Sequence, residues 1–336
     1  MSIWNRLFGG HTFKPVTIAN RPLKVRAAKP IPRGTIVGLD KPVARLILGV
    51  DNQVKVTMQH AAAMFDDYFE RGGNAFDTAF VYGEIRSRQL GRWIASRGVR
   101  GQVAVIAKGA HTPFCNPEAL TSQLVQQLDW LGTDHADIYL MHRDNPDIPV
   151  GEFVAVLNEH VRAGRIKVFG GSNWTLDRVK KANAYAERKG LQGFAAVSNN
   201  LALAEMVKAV WDGCRHVHDA ADRDWFKKTQ TALLSWSSQA RGFFVPSRAA
   251  PDKLDDRSLA ESWYSEDNFK RQARAIELAA KYRVEPINIA LAWVLCQPFP
   301  TFPLIGPRQI SETRSSLAAL EVRLTPREME WLNLEA

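Results

Sequence analysis

From residue 43 onward the chain alternates short apolar runs with longer stretches of helical periodicity, and this repeat restricts the fold more than any other feature of the sequence. The runs fall at 43–50, 74–77, 103–108, 137–142, 166–172, 194–198, 232–236 and 301–305. Strands alternating with helices read as βα units and a parallel sheet. The helices between them carry start signals. Asn116 precedes Pro117 and Glu118, a cap followed by proline at the first helical position, and Leu120, Leu124, Leu128 and Leu131 recur at helical spacing. Pro286 opens a helix with Ile287, Ala290, Leu291 and Val294 on one face, and Thr325-Pro326-Arg327-Glu328 spells a capping box.

Eight alternations over about 290 residues fit a single-domain (β/α)8 TIM barrel, an α/β architecture for which about 250 residues is typical. A doubly wound sheet is the competing arrangement. Against it stands the lack of a G-x-G-x-x-G loop after the first strand, the feature with which that fold seats a pyrophosphate. Pro303 lies inside the eighth run, where a missing N–H breaks a ladder bond, so the limits of that strand stay open. No shift in composition divides residues 40–336, which are read as one barrel domain.

The 336 residues carry 44 Lys and Arg against 35 Asp and Glu, but the excess is uneven. Residues 1–39 hold seven basic residues and no acid. The remainder has 37 basic against 35 acidic, so the body is close to neutral and its charge does not point to nucleic acid. The basic, proline-bearing segment 1–39 is read as an extended arm, lying on the barrel or on a neighbouring subunit; a loosely ordered solvated tail is the alternative. It lacks the apolar core of a signal peptide. With 46% hydrophobic and 24% charged residues the composition is globular, and no run approaches the roughly 18 apolar residues of a membrane span. Cys115, Cys214 and Cys296 make neither a disulfide framework nor a CxxC pair, so a reduced, cytoplasmic setting is expected.

In a barrel the chemistry gathers where strands end. Here successive runs end in Asp77 through Tyr82-Gly83, in Lys108, in His142-Arg143-Asp144, in Ser172-Asn173, in Ser198-Asn199-Asn200, in Trp236-Ser237-Ser238-Gln239-Ala240-Arg241-Gly242 and in Gly306-Pro307-Arg308. The first of these groups supply a phenol, an ammonium, a carboxylate and an imidazole. That is an inventory for acid–base work on a carbonyl, with Lys108 expected to favour the Tyr82 phenolate, Asp77 to orient the lysine and His142 to donate to the carbonyl oxygen. Hydride has to come from a cofactor, because no side chain supplies it. Taken one at a time, these residues also read as an ordinary ion pair and a satisfied histidine.

The segment Asp77-Thr78-Ala79-x-x-Tyr82-Gly83, followed by Leu90-Gly91, resembles the DTAxxYG motif of the aldo-keto reductases. The stretch from Leu131-Gly132-Thr133-Asp134 to His142 is similar to that family's LGTDYxDLYxxH, and Gly164-Arg165-Ile166, Gly170 and Ser172-Asn173 to its GKIRxxGxSN. The resemblance runs from about residue 43 to 334. It implies an NAD(P)H-dependent oxidoreductase interconverting a carbonyl (aldehyde, ketone or sugar carbonyl) and an alcohol, with Asp77, Tyr82, Lys108 and His142 as the catalytic tetrad. By the same resemblance Ser172 and Asn173 bind the nicotinamide carboxamide, the contact that the family makes at position 198 falls here to Ser198 or passes to Asn199 or to water, and Trp236 stacks on the ring, where the family usually has tyrosine. Ser237, Ser238, Gln239, Arg241 and Gly242 cradle the pyrophosphate, and Gly306, Arg308, Glu312 and Ser316 face the adenosine.

Several positions depart from the family's pattern. The loop after Gly83 is a residue short, Ser198 stands where a glutamine is common, and Glu312 and Ser316 replace the usual residues near the adenosine. A carboxylate at 312 repels a 2′-phosphate, whereas Arg308 and Arg314 attract it. NADPH is the expected cofactor and NADH its competitor. Asp51, Arg143 and Trp174 are candidate walls of the substrate pocket. Cys214, His216 and His218 have metal-ligand chemistry without zinc spacing, so no metal is expected. The expected partners are a small-molecule carbonyl or alcohol and, possible on this sequence, a second copy of the chain; neither nucleic acid nor membrane is expected. The alternative function is a cofactor-binding regulatory or interaction subunit with little turnover.

Overall fold

A computed structural model describes residues 22–53 and 57–335. Within them the chain packs as two compact units: one runs through Ser172 and takes in Leu176–Ala195, the other comprises Asn173–Thr175 and the chain from Ala196 on.

The first unit holds five parallel strands, β3 (Ile47–Gly49), β4 (Ala75–Asp77), β5 (Ala104–Gly109), β6 (Ala136–Met141) and β7 (Ile166–Ser172), each beside its predecessor. Leu48 pairs with Phe76, Asp77 with Ile106, Lys108 with Leu140 and Ile138 with Val168. Every residue of β4, β5 and β6 is buried, which explains why these runs are mostly apolar rather than alternating, with Asp77, Lys108 and Asp137 as their charged exceptions. The helices between them are α1 (Met58–Glu70), α2 (Glu84–Arg97), α3 (Pro117–Leu131), α4 (Val150–Arg162) and α5 (Leu176–Lys189). The cap read at Asn116 forms, its side chain accepting from the Ala119 amide at 2.8 Å. Phe65, Phe76 and Trp93 pack edge-on or tilted at centroid distances of 4.9–5.5 Å and seal α1 and α2 onto the sheet.

The first apolar run splits. Val43–Ala44 forms β2, antiparallel to β1 (Arg33–Gly34), and the chain turns at Arg45 before β3 begins. Residues 22–39 of the expected arm run along this unit: the Arg26 and Ala27 amides donate to the Glu70 carbonyl, Ile31 donates to Arg71, and Ile31 and Ile36 are buried. The rest of that arm, residues 1–21, lies outside the described residues.

The second unit contains β8 (Ala196–Ser198), β9 (Ala232–Leu233) and β10 (Leu304–Ile305). Ala196 pairs with Ala232 and Val197 with Leu233, in parallel. Pro303 shortens the eighth strand as its missing N–H requires. The Phe302 and Leu304 amides donate to Leu233 and Ser235, Thr301 keeps a single bridge to Leu233, and regular pairing resumes only at Leu304. Six helices complete the unit: α6 (Ala220–Thr229), α7 (Arg257–Trp263), α8 (Glu266–Tyr282), α9 (Pro286–Leu295), α10 (Ile310–Leu317) and α11 (Pro326–Leu332). The capping box at Thr325 and Glu328 forms as read.

Candidate active site

The four residues singled out as acid–base groups all lie in the first unit, at or beyond strand ends. Asp77 closes β4, Lys108 stands near the end of β5, and His142 follows β6. Tyr82 ends the single helical turn Phe80–Tyr82, from which Gly83, at φ 89°, leads into α2. A positive φ there suits glycine, which has no Cβ to clash. Both Asp77 carboxylate oxygens accept from the Lys108 ammonium, and each of these side chains is 3% exposed. The ammonium lies 5.3 Å from the centroid of the Tyr82 ring, and the His142 ring meets that ring edge-on at 5.9 Å. His111 stands edge-on to His142, at 4.9 Å.

Burial, helped by the Asp77 and Asp51 carboxylates, holds the Tyr82 phenol well above its ordinary pKa; Arg143 and Arg86 pull it down by less. The Lys108 ammonium expected to favour the phenolate is ion-paired with Asp77. At neutral pH Tyr82 carries its proton. Burial, with Lys108, Arg143 and His111 nearby, pushes the His142 imidazole far below its usual range, so it is neutral. The set thus offers a protonated phenol and a neutral imidazole beside a compensated ion pair, suited to giving a proton to an oxygen that gains negative charge.

Three supporting residues escaped the sequence reading. Arg86, on the first turn of α2, binds back to the Tyr82 carbonyl and to Asp51. Gln123 accepts from the Ala110 amide at 2.8 Å. Gln127, in the orientation that satisfies both ends of its carboxamide, donates to the Lys108 carbonyl at 3.1 Å and accepts from Phe80 at 3.0 Å. The signal was there: two glutamines interrupt the leucine face of α3, and a polar residue on a buried face needs a partner. Of the pocket candidates, Arg143 is buried and donates to the His142 carbonyl at 3.0 Å, and Asp51 is exposed and paired with Arg86. Trp174 follows Asn173, at φ 61°, and has no accessible surface.

Except for Ser172, at the end of β7, the candidate cofactor residues belong to the second unit. Asn173 donates its amide to the Ser198 carbonyl at 3.1 Å, and Asn199 donates its carboxamide to the Trp174 carbonyl at 2.8 Å. The Asn199 Oδ1 and the Trp236 indole N–H are buried without a hydrogen-bond partner, which fits polar contacts to a nicotinamide carboxamide. Ser237, Ala240, Arg241 and Gly242 all take positive φ. Left-handed residues in such a loop favour anion-binding concavities of backbone N–H groups. The loop is tied to the next strand and helix, with Ser238 donating to Leu304 at 2.9 Å and Gln239 to the Ser316 hydroxyl at 3.4 Å. Arg241 donates to Ser258 at 3.0 Å and lies over Trp211. Gly306, Pro307 and Arg308 precede α10 rather than open it, since the helix starts at Ile310. The Glu312 carboxylate accepts from the Arg308 backbone amide at 2.6 Å.

His218, from the loop with metal-type residues, stacks on Trp293 at 6.2 Å, and burial with Arg271, Arg223 and His216 nearby holds it down to about 3. Among the described residues no cluster of three His, Cys, Asp or Glu is arranged to hold a metal ion. Nor is any described helix long and apolar enough to cross a membrane.

The family model of the aldo/keto reductase family matches residues 45–333. The chain belongs to the aldo/keto reductase family. Its fold class is accordingly the (β/α)8 barrel expected from the eight alternations. This aldo/keto reductase is similar to the uncharacterized oxidoreductase YrpG of Bacillus subtilis, with 26% identity over 87% of this chain and 91% of that protein. It is also similar to the norsolorinic acid reductase stcV of Emericella nidulans, 26% identical over 82% and 71% of the two chains. A third relative is the aryl-alcohol dehydrogenase [NADP(+)] of Phanerodontia chrysosporium, 23% identical over 80% of this chain and 74% of that one. An oxidoreductase that uses a nicotinamide dinucleotide is the activity at family level.

Proposed function

We propose that this aldo/keto reductase reduces an aldehyde or ketone to an alcohol with NADPH, Tyr82 giving the proton. The observation that carries the reading is a protonated tyrosine whose ring centroid lies 5.3 Å from the ammonium of a lysine already bound to Asp77, with a neutral histidine edge-on to the same ring. When bound, the dinucleotide supplies the hydride. Tyr82 passes its phenolic proton to the carbonyl oxygen as negative charge develops there, and the neutral His142 ring donates a hydrogen bond to that oxygen. Lys108 and Asp77 keep the floor of the site charged but compensated.

Ser172, Asn173 and Asn199 would hold the carboxamide and Trp236 the nicotinamide ring; the loop from Ser237 to Gly242 would hold the pyrophosphate, and Gly306, Arg308 and Ser316 the adenosine end. The substrate class we propose is an aryl carbonyl. It is supported by the aryl-alcohol dehydrogenase among the relatives and by apolar surface on the loops beyond the strand ends: Val81, beside Tyr82, and Phe114, beyond β5, are 53% and 63% exposed. Loss of NADPH absorbance with para-nitrobenzaldehyde tests the reading. Tyr82→Phe keeps the ring and removes the proton, so cofactor binding persists while the rate falls by about 10² to 10⁴. Tight NADPH binding by the wild type with no turnover of any aldehyde, ketone or sugar would favour a binding subunit instead.

A further inference from the structure

One guanidinium ties the proton donor to a neighbouring strand end. Arg86 lies on the first turn of α2, just past the Gly83 turn, and its side chain reaches backward. Its Nη1 donates to the backbone carbonyl of Tyr82, its Nε donates to the backbone carbonyl of Asp51 at 2.9 Å, and its Nη2 pairs with the Asp51 carboxylate at 3.2 Å. Asp51 begins the short helical turn that follows β3, so the three bonds join the segments leaving β3 and β4. No side chain caps the start of α2, and the Tyr82 turn has no side-chain cap of its own. The Arg86 side chain is 17% exposed, that of Asp51 53%. The planar fork of arginine spreads its N–H donors over separate nitrogens and suits this set of bonds better than the single nitrogen of a lysine ammonium.

We propose that Arg86, held by Asp51, is a positioning residue that clamps Tyr82 in its proton-donating place and, with Asp51, balances the charge around the phenol. The proposal rests on the reading of Tyr82 as proton donor. The charged and titratable groups facing Tyr82 are Asp77 on β4, Lys108 on β5, His142 and Arg143 after β6, Asp51 after β3 and Arg86 on α2. Of the last two, Asp51 favours the protonated phenol and Arg86 opposes it. Their removal therefore acts in opposite senses on the same group, which a purely structural contact would not do.

The test measures para-nitrobenzaldehyde reduction by Arg86→Met, Arg86→Lys, Asp51→Asn and Tyr82→Phe across pH, with NADPH affinity from fluorescence and folding from thermal melting. Reduction needs the protonated phenol, so the rate falls at the alkaline limb of kcat. Arg86→Met lowers kcat about tenfold to a hundredfold, with KM and NADPH affinity within about threefold of wild type, since position is lost rather than binding. It moves the alkaline limb to higher pH, and Asp51→Asn moves it to lower pH. Arg86→Lys keeps the wild-type limb and recovers part of kcat, which separates placement from loss of fold. A kcat for Arg86→Met within about twofold of wild type beside an inactive Tyr82→Phe, or a limb displaced the same way by both charge removals, would overturn the clamp alone. Tyr82→Phe working at the wild-type rate would overturn the proton-donor reading, and this proposal with it.

Discussion

The Lys108 ammonium sits between both carboxylate oxygens of Asp77, across adjacent strands and out of reach of solvent. Two opposite charges buried together compensate each other, and either one left alone is costly. Asp77→Asn should destabilise the protein by about 3–5 kcal/mol, as should Lys108→Met, while the double variant should recover much of the loss, because it buries no uncompensated charge. Urea unfolding of the three variants measures this; additive losses would contradict it. Kinetically the singles diverge. Asp77→Asn removes an anion that favours the protonated phenol and lowers the alkaline limb, whereas Lys108→Met leaves that anion unmatched and raises it.

Asp137, near the opposite end of β6 from His142, gives an acid-sensitive prediction. Its carboxylate accepts from Lys41 and Arg100, both at 2.8 Å, and from the Val105 amide at 2.9 Å. Against the upward push of burial, these partners hold its pKa below the usual carboxylate value. A lowered folded-state pKa contributes stability that is present above the unfolded value, near 3.9, and is lost as pH falls through the folded one. Asp137→Asn should cost about 2–3 kcal/mol at neutral pH, less than a fully buried pair because Lys41 and Arg100 keep some solvent. The difference in Tm from wild type should shrink between about pH 4 and the acid transition. A gap that stays constant with pH would mean the ion pairs carry none of it.

Gly91 shows the reason behind a motif residue. A Cβ built there would lie 2.1 Å from the carbonyl oxygen of Leu131, so α2 and the end of α3 approach too closely for any side chain. Gly→Ala inside a helix ordinarily gains about 1 kcal/mol of propensity. Here Gly91→Ala should instead destabilise by about 1–3 kcal/mol through overpacking. Thermal melting decides by sign alone: a higher Tm would refute the close approach.

Glu312 bears on cofactor choice. Its carboxylate accepts from the Arg308 amide just ahead of α10, and on the proposed placing of the adenosine end here it would compete with a 2′-phosphate for that N–H. Glu312→Gln keeps an acceptor and removes the charge, so NADPH affinity should rise while NADH affinity changes little. Fluorescence titration of both cofactors against both proteins reads this out. Tighter NADH binding by the wild type would remove NADPH from the proposed function.

What the sequence determined by itself is what local chemistry and period control. Caps at Asn116 and Thr325 form because a short polar side chain reaches the third amide of a helix regardless of what surrounds it. The eight runs become strands because buried parallel strands need apolar residues on both faces, and Asp77, Tyr82, Lys108 and His142 are legible because strand ends are where polar groups can emerge. Only the tertiary structure decided how those groups act on one another. Lys108 is ion-paired with Asp77, Trp174 is fully buried, and Glu312 binds back to the Arg308 amide. The bonds of Arg86, and the partners of the buried Gln127, became visible only when α2 and α3 were packed over the strand ends. Such contacts join residues far apart in the chain or on opposite sides of a turn. Their distances, and the burial that shifts each proton, arise when the elements pack, and no local pattern encodes them.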